Sequence, residues 1–406
     1  MAQGMNTGPA GATMNQDEAR SILAAQAASI GRFQSPEQWF SFNQSFATPS
    51  QFLIPRPMPL NRPAESVYIH AAFRINVANA NMAFVAPEAI QNLLQLIQLN
   101  GTHRVFGNLF TIRQSGASAF AWPFLFQSSG CTIVINGVAA GDPSQPFTSP
   151  FTGLVGTHDV LVTWRLPLGP LMGIGQSTKR DLASFLYQAP DWGDSLQLQL
   201  NFGDATALGT PAAPGDVTFT GFGSAGGTPL VTVSVNYSIL GPFSDAIRSG
   251  VMVRQEQLFN QFVTAGTQLR ISQLQKQITP NVVMKSGTQL AGSTAGVTVF
   301  GTLTDVQLDR TQVVVDNKPL KFNQNNQILR AYDATMFARR QPGGYLNLTF
   351  VDGQNPALAY RGDGLAGGSL FELQSDITTS GATQIQAMTQ EMAYGGPYID
   401  LHPSNM

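Results

Sequence analysis

Apolar and polar residues alternate with a period of two from residue 65 onward. The clearest run places Val67, Ile69, Ala71, Phe73, Ile75 and Val77 on one side and Ser66, Tyr68, His70, Ala72, Arg74 and Asn76 on the other. Successive strand side chains point to opposite faces of a sheet, so this run predicts a long strand with one buried face. The same reasoning predicts strands at residues 93–99, 102–106, 131–136, 159–168, 195–202, 216–222 and 230–240. Turn-rich loops separate them, which indicates an all-β sandwich or jelly roll.

The dipeptide Asn100-Gly101 stands between the second and third of these strands. Asn-Gly is the strongest short signal for a two-residue hairpin turn, so the sequence predicts a turn here. A helix that ends at Asn100 is the alternative to the preceding strand. Four apolar residues have the spacing of one helix face: Ile90, Leu93, Leu94 and Ile97. We favour a short turn followed by a strand. A helix is predicted at residues 178–188, where Thr178 is the N-cap and Pro190 the stop.

The chain also carries an internal repeat. A strand pattern at 198–204 follows the helix predicted at 178–188, and a similar pattern at 346–352 follows a second predicted helix that contains Ile328, Leu329, Tyr332 and Met336. Farther on, 370–373 matches 217–219, and 385–394 before Gly396-Pro397 matches 231–240 before Gly241-Pro242. Four ordered elements at a nearly constant offset predict two tandem sandwiches.

The repeat divides the chain into five predicted segments. They are an N-terminal helix and extended aromatic and proline arm at 1–62, a first jelly roll at 63–241, a connector at 242–268, a second jelly roll at 269–397 and a C-terminal tail at 398–406. The connector is predicted to form irregular helix from the spacing of Ile247, Val251, Leu258 and Phe262.

A modest amphipathic helix is predicted at residues 15–31, with Asn15 and Glu18 as its capping pair. Its narrow apolar stripe consists of Ile22, Leu23, Ala27 and Ile30. Two interpretations stay open at this stage. The helix docks on its own core, or it contacts a membrane or a neighbouring subunit.

Closely spaced aromatic residues follow this helix: Phe33, Trp39, Phe40, Phe42, Phe46 and Phe52. Prolines at positions 55, 57, 59 and 63 then predict a stiff, extended connector. Aromatic side chains at this density do not stay in water, so we expect the arm to lie in a groove of its own or of another subunit. A ligand for a proline-recognition domain is the alternative.

Composition excludes several classes of protein. Only 11% of the 406 residues are charged and the net charge is -2, whereas soluble domains average roughly 25%. Direct nucleic-acid binding through phosphate neutralisation is not expected, because it needs clustered Lys and Arg. Cys131 is the single cysteine, so neither an intrachain disulfide nor a cysteine-based metal site is expected. The sequence shows neither a secretory signal nor a transmembrane stretch, so we expect a soluble cytosolic chain.

No motif predicts catalysis or a cofactor. The four histidines lack metal-site spacing, and the loop at 173–179 matches a phosphate loop only loosely. Carboxylates such as Asp191, Asp194 and Glu391 carry no spacing that selects them as a glycosidase pair. The tripeptide at 361–363, which integrins recognise, lies in a glycine-rich loop and is interpreted as chance. We therefore expect no catalytic, cofactor-binding or metal-binding residues.

The order of elements in the first half has a counterpart among viral proteins. A long strand ending in Trp164-Arg165-Leu166-Pro167-Leu168, the predicted helix at 178–188 and the strand at 196–202 resemble the major capsid proteins of tailless, internal-membrane bacteriophages of the tectivirus type, which share their architecture with adenovirus hexon. The resemblance implies a double jelly roll, with two tandem eight-stranded jelly rolls that each carry a helix between the sixth and seventh strands. It also implies that the helix at 15–31 lies beneath the shell next to the viral membrane.

The resemblance implies a structural function in the virion. Three chains would form a pseudo-hexagonal homotrimeric capsomer of an icosahedral shell over an internal membrane, after synthesis in the host cytoplasm. The expected partners are the chain itself, other capsid proteins such as vertex or minor proteins, and the inner membrane through the N-terminal helix. The alternative is a receptor- or glycan-binding viral spike protein built of tandem β-sandwiches.

Overall fold

The structure is a computed structural model, and it describes the chain in separate ranges. These are residues 34–58, 64–78, 90–103, 107–116, 131–139, 155–168, 196–208, 215–238, 252–263, 268–271, 278–289, 300–303, 308–315, 318–337, 344–349, 360–361, 371–377 and 383–394. Strands dominate this part of the chain, in agreement with the all-β prediction.

The described residues of the first half form eleven strands. They are β1 (Gln34–Asn43), β2 (Ser50–Leu53), β3 (Ala64–Val77), β4 (Leu94–His103), β5 (Gly107–Gln114), β6 (Cys131–Ile135), β7 (Val138–Ala139), β8 (Gly156–Pro167), β9 (Leu196–Phe202), β10 (Val217–Gly221) and β11 (Leu230–Ser238). One sheet has the order β1-β11-β3-β8-β6-β7, with β10 also paired to β3, and the other has the order β2-β9-β4-β5.

The second half repeats this arrangement. Its elements are β12 (Met252–Val263), β13 (Gln268–Ile271), β14 (Ile278–Gln289), β15 (Phe300–Leu303), β16 (Leu308–Val315), β17 (Lys318–Asn325), helix α1 (Asn326–Phe337), β18 (Tyr345–Thr349), β19 (Tyr360–Arg361), β20 (Phe371–Ile377) and β21 (Thr383–Tyr394). One sheet has the order β12-β21-β14-β15, with β18 and β19 also paired to β14, and the other has the order β13-β20-β16-β17.

Both halves therefore have jelly-roll topology. In the first half, the sheet strands β1-β11-β3-β8 face β2-β9-β4-β5. In the second half, β12-β21-β14-β18 correspond to β1-β11-β3-β8, and β13-β20-β16-β17 correspond to β2-β9-β4-β5. The remaining short strands are additions to this common plan. Helix α1 lies between β17 and β18, the sixth and seventh strands of the second half in chain order. The first predicted helix, at 178–188, lies outside the described residues.

The core of the first jelly roll lies between its two sheets. Along β3 every second residue is buried, from Val67 to Val77, as the period of two predicts. Trp164 on β8 and Leu198 on β9 approach the same core from opposite sheets and are fully buried. The strands thus form because each one buries an apolar face against the facing sheet.

The predicted turn at Asn100-Gly101 is wrong. Both residues lie inside β4, where Asn100 pairs with Thr111 and Gly101 with Phe110 of β5. Strand β4 is held on its other side by β9, so pairing on both sides overrides the local turn preference. The preference for a turn followed by a strand is confirmed, because a 3-10 turn at Gln91–Leu93 leads directly into β4.

A different Asn-Gly pair forms the tight turn. Asn136 and Gly137 connect β6 to β7 and have φ angles of 49° and 81°. A two-residue hairpin of this kind needs positive φ at both central positions, which Asn tolerates and Gly adopts freely. The turn is further tied to β8, because the Asp159 backbone N–H donates to Asn136 Oδ1 over 2.9 Å.

The internal repeat is real, but two of its predicted matches are wrong. Strand β9 lies between β2 and β4, whereas β18 pairs with β14 in the opposite kind of sheet. By topology, β9 corresponds to β20 and β18 corresponds to β8. The match of 217–219 with 370–373 fails for the same reason, because β10 pairs with β3 and β20 lies between β13 and β16. The match of β11 with β21 is confirmed.

The helix predicted in the connector is also wrong over its described part. Residues 252–263 form β12, which pairs with β21 along its whole length. Leu258 and Phe262 are four residues apart, a spacing that fits one face of a strand as well as one face of a helix. The backbone of β12 also lies alongside β5, so the two jelly rolls meet through these two strands.

No helix in the described ranges is long and apolar enough to cross a membrane.

Candidate functional site: the aromatic cluster, its polar ties and the sheet edges

The residues predicted for assembly fall into two groups. Ile22, Leu23, Ala27 and Ile30 of the predicted helix, together with Phe33, lie outside the described residues. The other predicted arm residues lie on or between β1 and β2: Trp39, Phe40, Phe42, Phe46 and Phe52. The described part of the arm therefore forms two strands of the first sandwich, and the boundary predicted at residue 63 falls after both of them.

A cluster of phenylalanines joins the two sheets at this end of the jelly roll. Phe42 of β1 stacks on Phe52 of β2, with ring centroids 3.7 Å apart and planes 4° from parallel. Phe40 approaches Phe52 at 5.9 Å, and Phe202 of β9 approaches Phe42 edge-on at 6.1 Å. Since β1 and β2 belong to different sheets, these contacts close the sandwich along one side.

Phe46 is the buried centre of this cluster. Its side chain is 1% exposed and lies in the link between β1 and β2. The ring packs edge-on against Phe73 and Phe219, each at 5.4 Å, and against Phe202 at 5.9 Å. The sequence carries a signal for strand β1, because Phe40 and Phe42 alternate with polar Ser41 and Asn43 as in a half-buried strand. It carries no comparable signal for Phe46, which lies after the strand.

Two ion pairs tie β3 to β8 on the opposite face of the sheet from the core. Arg74 donates to both carboxylate oxygens of Asp159 at 2.8 and 2.9 Å. The Gly223 backbone N–H donates to Asp159 Oδ1 at 2.9 Å. The hydrogen bond from Arg74 and then that from Gly223 lower the pKa of Asp159 to about 2, because both favour the charged carboxylate.

The second tie is more deeply buried. Arg165 donates to Glu65 Oε1 and to Ser66 Oγ, each at 3.0 Å. Asn236 of β11 donates to Glu65 Oε2 at 2.8 Å. Three strands are thereby joined through one carboxylate that is 4% exposed, which satisfies the polar groups that the sheet buries there.

The described residues offer little chemistry of the catalytic kind. Burial raises the pKa of the Cys131 thiol, so the reactive thiolate is disfavoured. Burial lowers the pKa of His70, whose Nδ1 lies 2.9 Å from Thr163 Oγ1. Within the described ranges, no group of three or more His, Cys, Asp or Glu side chains is arranged to hold a metal ion.

The remaining sequence candidates are scattered. Several of them lie outside the described residues, namely Asp191, Asp194, the loop at 173–179, Gly362 and Asp363. Glu391 lies on β21, opposite Gln255 of β12. Among the described residues, the structure therefore brings together packed sheets and their edges.

The comparisons with known proteins agree with this architecture. No protein-family model and no curated protein matches the chain. Among solved structures, the crystal structure of the STIV MCP is 12% identical, with a TM-score of 0.54, over 91% of this chain and 98% of that chain. The atomic structure of Sulfolobus turreted icosahedral virus is 14% identical, with a TM-score of 0.57, over 92% and 93%. The PBCV-1 virus capsid is 11% identical, with a TM-score of 0.51, over 88% and 93%. The chain therefore has the double jelly-roll fold of viral major capsid proteins.

Proposed function

We propose that this chain is the major capsid protein of a virion. The observation that carries the proposal is the presence of two jelly rolls of the same topology in one chain. The likeness to capsid structures, which extends over about nine-tenths of the chain, supports the same role. A shell protein needs packed sheets and complementary edges, and it needs no reactive site.

We further propose that three chains form a pseudo-hexagonal capsomer of an icosahedral shell. Three copies of a two-jelly-roll chain place six similar units around one axis, and such a unit can tile a hexagonal lattice. The low charge fits this role, because surfaces buried by neighbouring copies are depleted in charged residues. Helix α1 adds apolar surface, since Ile328 and Tyr332 are each 56% exposed in the single chain while Leu329 is buried.

The amphipathic helix predicted at 15–31 is proposed to lie on the inner side of the shell against an internal membrane. Its support is the apolar stripe of the sequence, which is too narrow for a spanning helix and suits an interfacial one. Vertex or minor capsid proteins are the other proposed partners. Direct contact with nucleic acid is not proposed, because the chain has a net charge of -2.

The glycan-binding spike is not favoured. That function predicts a shallow cleft lined with exposed aromatic rings. In the first jelly roll Phe46, Phe73 and Phe202 instead pack together between the sheets and are at most 1% exposed, whereas Phe222 is 53% exposed.

The mass of the purified protein tests the proposal. Light scattering during gel filtration is expected to give about 130 kDa, three times the 43.5 kDa chain. Electron microscopy of the same sample should show particles with a hexagonal outline. A protein that stays a 43.5 kDa monomer at micromolar concentration would contradict the capsomer proposal.

A further inference from the structure

The sequence contains two Asn-Gly dipeptides, and the fold places them in opposite surroundings. Asn100-Gly101 lies inside β4, where Gly101 is buried and pairs with Phe110 on one side and Leu196 on the other. Asn136-Gly137 forms the turn between β6 and β7, and both of its residues are exposed. In an Asn-Gly dipeptide the glycine has no side chain to hinder attack by its own backbone nitrogen on the asparagine amide. The chemistry of amide loss is therefore open at the turn and closed in the strand.

The carboxamide of Asn136 is held by two neighbours on β8. Its Oδ1 accepts a hydrogen bond from the Asp159 backbone N–H at 2.9 Å, and its Nδ2 lies 3.2 Å from His158 Nδ1. The other ring nitrogen of His158 lies 3.1 Å from the Val155 carbonyl oxygen, which can only accept, so that nitrogen carries the ring proton. Neutral His158 therefore accepts at Nδ1 from Asn136 Nδ2, and both ends of the amide are restrained.

We propose that Asn136 is a site of spontaneous deamidation and that its two side-chain hydrogen bonds set the rate. The modification converts the exposed amide into a carboxylate and adds one negative charge to each chain. It needs no enzyme, and water is its only co-reactant. This inference goes beyond the proposed capsid function and does not depend on it.

The reaction proceeds through a cyclic imide. The backbone nitrogen of Gly137 gives its proton to hydroxide and attacks Cγ of Asn136, so a bond forms between Cγ and that nitrogen. The bond between Cγ and Nδ2 breaks, and Nδ2 takes a proton from water and leaves as ammonia, which returns the hydroxide. Water then opens the five-membered succinimide at one of its two carbonyl groups. The product is aspartate or isoaspartate.

The hydrogen bonds of Asn136 oppose the first of these steps. Attack makes Cγ tetrahedral, which changes the directions of Oδ1 and Nδ2. Both atoms must then move relative to the Asp159 N–H and His158 Nδ1. At Asn100 the restraint is stronger, because its Oδ1 accepts from Gln98 and Thr111 at 3.1 Å each and the backbone is paired on both sides. The turn is thus expected to react slowly and the strand not at all.

The two products have different effects on the hairpin. Aspartate keeps an oxygen that can accept from the Asp159 N–H, so the turn and its tie to β8 are preserved. Isoaspartate lengthens the backbone by one methylene group, and a two-residue turn with φ angles of 49° and 81° no longer fits it. In the described part of the chain β7 pairs only with β6. Isoaspartate is therefore expected to release β7 from the sheet.

Peptide mapping of the aged full-length protein tests the site. One sample is incubated folded in mildly alkaline buffer, and a second is incubated unfolded in guanidinium chloride. In the folded sample, mass spectrometry is expected to find the change from amide to acid at Asn136 and not at Asn100. In the unfolded sample both are expected to change. Hydroxylamine, which cleaves a chain at a succinimide, is expected to cut the folded protein after Asn136 alone.

Substitution His158→Ala tests the restraint. The rate at Asn136 is expected to rise about fivefold, the equivalent of one hydrogen bond. Thr157→Ala is the matched control, since Thr157 is the exposed neighbour on the same strand and its hydroxyl donates to Asn76 at 3.2 Å and not to the turn. Urea unfolding of both variants confirms that the folded state is populated during the incubation.

The outcomes decide both parts of the proposal. Equal conversion of Asn100 and Asn136 in the folded protein overturns it, and so does a folded Asn136 that stays intact while the unfolded one converts. A rate that is unchanged in His158→Ala, or raised equally in Thr157→Ala, overturns the role of the hydrogen bonds. The mass of the assembled protein has no bearing on these results, so a failure here leaves the capsomer proposal standing.

Discussion

At the scale of single residues, the ion pair of Arg74 and Asp159 makes the stability of the first jelly roll depend on pH. The folded pKa of Asp159, about 2, lies below its ordinary value of 3.8 because Arg74 and the Gly223 N–H favour the carboxylate. A group whose pKa is lowered by folding stabilises the fold when it is ionised. Its contribution is therefore fully present above about pH 4 and is lost as the pH falls toward 2.

Substitution Asp159→Asn should remove this dependence. We expect the variant to be less stable than wild type at pH 6, and the difference to shrink as both are taken to pH 2.5, because the wild-type carboxylate is then being protonated. Urea unfolding at several pH values measures the change. Asp204→Asn is the control, since Asp204 accepts from Thr206 in a local turn. A difference that is constant with pH would show that the charge of Asp159 is not involved.

Gly116 is required because the surrounding backbone leaves no room for a side chain at this position. A Cβ atom at this position would overlap the Gln91 carbonyl oxygen and lie 2.5 Å from that of Leu94. Both are backbone atoms and cannot rotate away, so Gly116→Ala should cost about 1–3 kcal/mol in the free energy of unfolding. Gly226→Ala is the control, because nothing lies within 4 Å of its added Cβ, and urea unfolding compares the two. Equal stability of both variants would contradict the close approach.

At the scale of elements, alternation of apolar and polar residues predicted most strands of the first half. Strand β3 was expected at 65–77 and lies at Ala64–Val77. A half-buried strand needs apolar residues at every second position, and this period is visible in the sequence. Turn dipeptides were less reliable. Asn100-Gly101 lies within a strand that is paired on both sides, while Asn136-Gly137 makes the turn. The turn preference of Asn-Gly determined the local structure only where the dipeptide was not paired with strands on both sides.

The link between β1 and β2 should depend on Phe46. Replacing it with Ala would remove ring contacts to Phe73, Phe202 and Phe219 and leave a cavity between the sheets. We expect a loss of about 3–5 kcal/mol in the free energy of unfolding, as for other buried Phe→Ala changes. Phe222→Ala is the matched control, since that ring is 53% exposed, and thermal or urea unfolding measures both. Similar losses in the two variants would show that the cluster does not hold the strands.

At the scale of the whole molecule, the sequence predicted that two sandwiches follow each other but misaligned them. The patterns at 198–204 and 346–352 are similar because both strands bury alternate leucines, and every strand of a sandwich does so. The pattern therefore indicates which side chains of a strand are buried, and it does not indicate which sheet the strand joins. That choice depends on pairings distant in the chain, such as β1 with β11, which no local period reveals.

Deletion of residues 1–31 tests the role proposed for the N-terminal helix. We expect the truncated protein to keep its trimer mass, because every strand that the structure describes lies after this segment, and to fail in shell assembly or in binding to lipid vesicles. Light scattering and vesicle flotation measure the two properties. A truncated protein that no longer forms trimers would show that the helix belongs to the core of the fold instead.

The covalent link between the two jelly rolls has a consequence for how a ring of such chains comes apart. Because β11 and β12 belong to one polypeptide, the contact of β5 with β12 is intramolecular and does not weaken on dilution. Contacts between chains do weaken on dilution. A trimeric ring would therefore contain alternating concentration-independent and concentration-dependent joints, and it would dissociate into pairs of jelly rolls without releasing single ones.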